Sequence, residues 1–357
     1  MPPRARPSTR SRQIAMVFDL NKCMGCQTCS VACKMLWTRD DGDGSDGTDY
    51  MWWCSVNTMP GRGYPRDWEQ MGGGYRDGVP QPGVLPTREE FGGGWNFNYE
   101  EVFYGGKGTS VHFQPLGPEP TWGPNWDEDQ GAGEWPNSYF FYLPRICNHC
   151  THPICVEACP RRAMFKRQED GLVLRDEDRC RGYQFCLEAC PYKKIFFNYA
   201  RRVSQHCILC FPRLEQGVAP ACARQCPGRL AFVGLLDDKD GPIHRLVNEW
   251  RVALPLHPEY GTGPNVFYVP PLSAARLNED GSPDEERPRI PTEYLERLFG
   301  PRAGEALATL KGEMAKTRAG QKSELMDVLT VYHWNELFGP FTRDPATVKL
   351  TARRRQQ

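Results

Sequence analysis

Sixteen cysteines occur in this chain, and fifteen of them fall into four groups whose spacing limits the chemistry they can do. The first reads Cys23-x2-Cys26-x2-Cys29-x3-Cys33. The second and third are Cys147-x2-Cys150-x4-Cys155-x3-Cys159 and Cys180-x5-Cys186-x3-Cys190. The fourth is Cys207-x2-Cys210-x11-Cys222-x3-Cys226, and the third is one cysteine short. Thiols in such numbers serve as disulfides, as zinc ligands or as iron–sulfur ligands, and the spacing has to decide among these. A chain of 357 residues can bury a sizeable core without disulfide staples.

The x2, x2, x3 spacing of the first group is that of bacterial ferredoxins. There, three thiolates curl around one iron–sulfur cube, and the fourth, at the start of a helix, points to another. Gly25 lets the backbone approach the cluster closely. Tetrahedral zinc would need two Cys-x-x-Cys pairs and no Cys29 between them.

Two such groups make two cubes when each lends its fourth cysteine to the other. The second and third groups, 20 residues apart, pair with each other, which leaves the first and last to pair around them. The resulting 4Fe-4S sites are Cys23, Cys26, Cys29 with Cys226; Cys33 with Cys207, Cys210, Cys222; and Cys147, Cys150, Cys155 with Cys190. The remaining site has Cys159, Cys180 and Cys186, with Tyr183 at the missing-ligand position. A phenol with a pKa of about 10 is a poor substitute for a thiolate, so a 3Fe-4S cluster is expected there. A complete cube whose last iron takes water or another side chain is the alternative.

Cys54 is left over and reads as a buried, inert thiol. His149, His152 and His206 stand beside ligand cysteines and read as structural imidazoles rather than ligands. Between residues 141 and 215, 13 Lys or Arg stand against 8 Asp or Glu. That excess would raise the potentials of anionic clusters, unless it is simply a solvated basic face.

The elements that position these groups are less regular. Residues 1–12 form a basic, Pro- and Ser-rich arm. No apolar segment or Arg-Arg pair of an export signal accompanies it. Ile14 to Leu20 is a buried strand. Residues 55–140 hold 17 of the 35 glycines, so elements there must be short. Seven of the ten tryptophans lie between Trp52 and Trp135, which argues against disorder. This insertion either moulds onto a partner or packs on the chain's own core. Strands are expected at Ala231 to Leu236 and Val266 to Val269, a helix at Ile243 to Val252, and a polar linker at Asn278 to Arg289. Beyond the linker, apolar residues recur at helical spacing, with Gly300 and Gly320 as stops.

Acidic and basic residues balance at 44 each, which leaves no field to recruit nucleic acid. No apolar run is long enough to span a bilayer, and no nucleotide-binding Gly-rich loop is present.

The pattern of four groups, one with an aromatic replacing a cysteine, resembles the β subunit of respiratory nitrate reductase and its relatives. The stretches Met16-Val-Phe-Asp-Leu-Asn-Lys-Cys23, Cys180-Arg-Gly-Tyr183 and Cys190-Pro-Tyr-Lys-Lys carry the likeness, which covers roughly residues 12–275. Within it the chain is most similar to the exported type II DMSO-reductase-family molybdoenzymes. These include ethylbenzene, steroid side-chain and dimethyl sulfide dehydrogenases and selenate, chlorate and perchlorate reductases. Nitrate reductase has Trp where this chain has Tyr183.

The resemblance implies an α+β fold of two ferredoxin-like halves. Half A would comprise residues 13–54 and 203–275 and half B residues 141–202, with the Gly/Pro/Trp-rich insertion between and a linker and helical extension at 276–357. It also implies a molybdenum catalytic α subunit, a haem b γ subunit, no catalytic residue in this chain, and periplasmic export on the partner's Tat signal. A cytoplasmic, membrane-associated complex is the alternative. Single electrons would pass along the clusters between molybdenum and haem, in a hydrocarbon- or steroid-hydroxylating dehydrogenase or, alternatively, an oxyanion reductase. A zinc-rich scaffold protein is the reading from another class.

Overall fold

A computed structural model describes residues 12–39, 48, 50–77, 79–91, 95–97, 113–115 and 131–348. Most of the expected N-terminal arm, Gly92 to Gly94, Trp122 and Trp126 lie outside the described residues. In chain order the strands used below are β1 (Ile14–Asp19), β2 (Ser55–Met59), β3 (Phe141–Arg145), β4 (Met164–Lys166), β5 (Val173–Arg175) and β6 (Ile195–Asn198). They continue with β7 (Val203–His206), β8 (Ala231–Leu235), β9 (Leu254–Pro255), β10 (Val266–Val269), β11 (Ala275–Leu277) and β12 (Pro283–Pro288). The helices used below are α1 (Thr28–Cys33), α2 (Ile154–Glu157), α3 (Phe185–Ala189), α4 (Phe211–Leu214), α5 (Ala221–Arg224), α6 (Thr292–Phe299), α7 (Ala303–Arg318) and α8 (Glu324–Thr330).

β1 is apolar on both faces because it is buried on both. It lies inside the four-stranded sheet β8-β1-β10-β9, antiparallel to β8 and parallel to β10, with Met16 opposite both Val233 and Val266. This sheet backs the helix pair α1 and α5, which packs the first and last cysteine groups together. A second unit repeats the plan with hairpins β4-β5 and β6-β7 and the packed pair α2 and α3. The fold is α+β and ferredoxin-like. Three of the cysteine groups end in Cys-Pro, and the residue before proline is disfavoured in the α region. Accordingly α3 stops at Ala189 and Cys190 is extended ahead of Pro191.

The expected strand at Val266–Val269 and the C-terminal helices form as read, with Gly300 capping α6 and Gly320 following α7, both at positive φ. Two expectations change. The helix from Ile243 gives way to a π-turn over Arg245–Glu249 and ends there, because Arg251 is left-handed at φ 56°. The expected linker Asn278 to Arg289 is instead the turn and second strand of hairpin β11-β12. Gly281 at φ 80° and the Asp280 carboxylate, which accepts from the Ser282 amide at 2.9 Å, close it. An exposed ribbon buries no face, so no apolar alternation announces it.

The ends of the 55–140 insertion pair as β2 and β3, with Ser55 opposite Arg145 and Met59 opposite Phe141. Trp52, Trp53, Tyr64, Trp68 and Phe91 are buried in the chain's own core, whereas Trp135 is 88% exposed. Arg145, fully buried, ties the insertion to half B. It donates to Asn57 Oδ1 at 3.1 Å, to Tyr64 O at 3.0 Å and to Tyr192 O, and its guanidinium lies 3.5 Å from the centre of the Trp68 ring. Arg145→Met would orphan these buried acceptors and remove the cation–π contact, which together are worth about 3 kcal/mol. The expected result is an earlier midpoint in a guanidinium titration followed by tryptophan fluorescence.

Candidate functional site

The four cysteine loops share a backbone bend. In each, the third residue of the first Cys-x-x-Cys, or of its Cys180-x-x-Tyr183 counterpart, has positive φ: Gly25 at 69°, His149 at 43°, Gly182 at 71° and Leu209 at 50°. Such a bend turns successive amides toward the inside of the loop, a concavity suited to anions. The Leu209 amide donates to Cys207 Sγ at 3.4 Å. The left-handed region costs a non-glycine residue roughly 1–2 kcal/mol, so His149 and Leu209 hold strain that the fold retains. At Gly25 a Cβ would sit 2.6 Å from the Tyr142 ring. Gly25→Ala is therefore expected to displace Tyr142 and lower occupancy of the first loop's site, read as lost iron per chain.

Loops one and three match further. Gln27 at φ 58° and Gln184 at φ 62° lie just ahead of α1 and α3. Tyr183 therefore stands where Cys26 stands, between two left-handed residues, and both are exposed, Tyr183 to 57%.

The chain brings the cysteines together in sets that cross the sequence. Cys23, Cys26, Cys29 and Cys226 line one cavity, here set I. The thiols of Cys33, Cys207, Cys210 and Cys222 act on one another as set II. Cys147, Cys150, Cys155 and Cys190 line a second cavity as set III. Cys159, Cys180 and Cys186, with Tyr183, line a third as set IV, together with Arg161, Arg175 and Arg181.

The sets form a line. The Cys54 thiol lies beside Cys29 of set I and beside Cys222 and Cys33 of set II. Cys147 of set III neighbours Cys207 of set II, and Cys155 and Cys190 of set III both neighbour Cys186 of set IV.

None of the sixteen cysteines is joined in a disulfide. Among the described residues no three Cys, His, Asp or Glu side chains converge as a single metal ion would need. The sulfurs ring cavities instead, a donor set that fits a polynuclear cluster. Burial pushes the thiols of Cys23, Cys150, Cys186 and Cys207 up to about 12, so these groups ionise in place only when a cation compensates the thiolate.

Protein donors reach some of the sulfurs. Trp37 Nε1 donates to Cys210 Sγ at 3.1 Å, the Ala163 amide donates to Cys159 Sγ at 3.2 Å, and the Cys186 thiol donates to Ser204 Oγ at 3.2 Å. Ammonium groups stand close by, those of Lys193 and Lys194 buried and that of Lys166 half-buried. Lys166 donates to the carbonyls of His149 and Cys150, and Lys193 to that of Glu188. Lys194 donates to Trp52 O and Ser55 Oγ. Burial, with Arg145 beside it, pushes Lys194 down to about 7, against the pull of the Cys54, Cys207 and Cys33 thiols.

His149 Nδ1 accepts from the Val173 amide, and His206 Nδ1 donates to Cys207 O at 2.7 Å. Burial pushes both imidazoles far down, His206 to about 3. Both are buried, their Nε2 atoms have no hydrogen-bond partner among the described residues, His206 also lines the cavity of set III, and His152 is exposed.

Residues 138–236 match the 4Fe-4S dicluster domain family. Over 332 residues the chain is 54% identical to the selenate reductase β subunit of Thauera selenatis, covering 92% of this chain and 99% of that one. It is 53% identical over 328 residues to the dimethylsulfide dehydrogenase β subunit of Rhodovulum sulfidophilum (92% and 98% covered). It is also 55% identical over 329 residues to the respiratory nitrate reductase β subunit of Haloferax mediterranei (89% and 90% covered). The chain belongs to the iron–sulfur β subunits of the DMSO-reductase family.

For a β subunit of this family the spacing of the cysteines locates the sulfurs but not what surrounds them. Trp37, Ser204, Cys54 and Lys194 reach the sets from elsewhere in the chain. In the sequence Cys54 reads as an inert buried thiol, and Lys194 only as part of the Cys190-Pro-Tyr-Lys-Lys stretch. It is buried, and it is also the residue that touches both set I and set II.

Proposed function

We propose that this β subunit relays single electrons between a molybdenum catalytic subunit and a haem b subunit of a respiratory oxyanion reductase. The linear order of sets I to IV is the observation that carries the reading. In it, sets I, II and III each hold a 4Fe-4S cluster through their four cysteines, and Cys159, Cys180 and Cys186 hold a 3Fe-4S cluster beside Tyr183. Such clusters accept and release one electron at a time. The chain's own residues fix their order, exclude water and tune their charge, and none of them is catalytic.

Set I, with exposed Cys26 and the 61%-exposed Met24 beside it, is the end offered to the catalytic subunit. Set IV, with Tyr183 and Phe185 exposed, is the end offered to haem. No helix among the described residues is long and apolar enough to cross a membrane, so membrane attachment falls to a partner. Export on a twin-arginine signal of the catalytic subunit accounts for a cofactor-laden periplasmic chain.

The substrate assignment rests on two of the three relatives above being oxyanion reductases by name. The hydrocarbon- or steroid-hydroxylating dehydrogenase expected first from the sequence draws no such support. Purification of the whole complex tests the reading, with iron and acid-labile sulfide measured and haem reduced before substrate addition. Reoxidation by selenate, nitrate or chlorate is expected. Reduction of the complex by a hydrocarbon or steroid, with oxyanions inert, would replace it with the dehydrogenase. A colourless chain with stoichiometric zinc and no sulfide would end the relay reading altogether.

A further inference from the structure

Lys194 is 1% exposed, and its ammonium is held by two neutral oxygens, Trp52 O and Ser55 Oγ, each at 3.0 Å. The rings of Tyr64 and Phe196 lie 5.9 and 5.5 Å from Nζ. Arg145 lies beside it and repels it, and the side chains of Cys54, Cys207 and Cys33 lie near it. Lys194 also lines the cavity of set III, so it stands at the junction of the two central sets.

A buried ammonium costs several kcal/mol unless a charge of opposite sign compensates it, and Arg145 adds to the cost. The cavity of set III and the cysteines of set II, on either side of it, are the places where anions would stand. We infer that Lys194 is the shared counter-charge of the two central clusters and holds their reduction potentials up, an inference that rests on the four-cluster reading above. Each cluster becomes one charge more negative on reduction. A positive charge held in a dry site therefore stabilises the reduced form more than the oxidised one and raises the potential. The charge is out of reach of solvent screening, and its effect falls with distance, least at sets I and IV.

The test is a redox titration of the intact complex followed by EPR, comparing wild type with Lys194→Gln, Lys194→Arg and the exposed control Lys239→Gln. In Lys194→Gln the two central clusters are expected to become at least tenfold harder to reduce, 59 mV for a one-electron couple. The terminal clusters should move less, and Lys194→Arg and Lys239→Gln should stay near wild type. Unchanged central potentials, or equal shifts at all four clusters, overturn the inference.

Where Lys194→Gln loses its central clusters, their retention in Lys194→Arg supports a requirement for charge, and loss in both variants overturns it in favour of packing. Ser55→Asp, which gives the ammonium a carboxylate partner in place, should shift the central potentials in the same downward direction. Wild-type complex without iron and acid-labile sulfide would sink the four-cluster reading itself. Clusters that are present but indifferent to Lys194 would sink this inference alone.

Discussion

Tyr183→Cys is expected to abolish the EPR signal of a three-iron cluster in the oxidised protein and to raise the iron content by about one atom per chain. The third loop already has the backbone of a four-ligand loop. Gly182 and Gln184 bend as Gly25 and Gln27 do, and Tyr183 occupies the position and exposure of Cys26. What the loop lacks is a thiolate, and a phenol does not supply one at physiological pH. A cysteine there would present its sulfur to a cavity already lined by Cys159, Cys180 and Cys186. Wild-type protein with no three-iron signal would show that a fourth iron is present with another ligand, and a variant that keeps the signal would show that position 183 is not where the missing ligand belongs. Because the terminal cluster would change type, its potential should move more than that of any other cluster in this variant.

Alanine at Cys226 and at Cys33 should produce crossed losses. Cys226 lies four residues beyond Cys222, yet Cys226→Ala is expected to remove the same EPR signal as Cys23→Ala. Cys33→Ala, in the N-terminal group, should remove the signal lost in Cys207→Ala. The packing of α1 on α5 accompanies the crossing, in which Cys226 lines the cavity of Cys23, Cys26 and Cys29 while Cys33 lies by Cys207 and Cys210. Each variant should lose roughly four iron atoms per chain. If Cys226→Ala and Cys222→Ala instead remove one and the same cluster, each group closes on itself and the pairing is wrong. These variants also assign the EPR signals that the Lys194 titration needs.

The sites were legible because cysteine is a rare residue with a demanding chemistry. Its spacing along a loop is nearly the geometry of its ligand set, so the positions of the sulfurs and the anomaly at Tyr183 could be read in one dimension. The strands were legible where burial on both faces leaves an unbroken apolar run, as in Ile14–Asp19 and Val266–Val269. Hairpin β11-β12 was not, because an exposed ribbon rests on turn chemistry rather than on apolar alternation. The π-turn at Arg245–Glu249 was missed because its apolar spacing differs little from that of an α-helix over so few residues.

The cysteine sequence by itself supplied the candidate ligands, their four groups and the short one among them. Only the tertiary structure decided the line in which the sets stand and what is buried between them. Lys194 meets Trp52 and Ser55 from across about 140 residues of chain, and Trp37 meets Cys210 across 173. Contacts of that range arise from how the two halves and the insertion pack, and packing between distant segments leaves no period or spacing in the sequence of either one. The charge beside the central sets, and with it their tuning, is therefore a property of the folded chain.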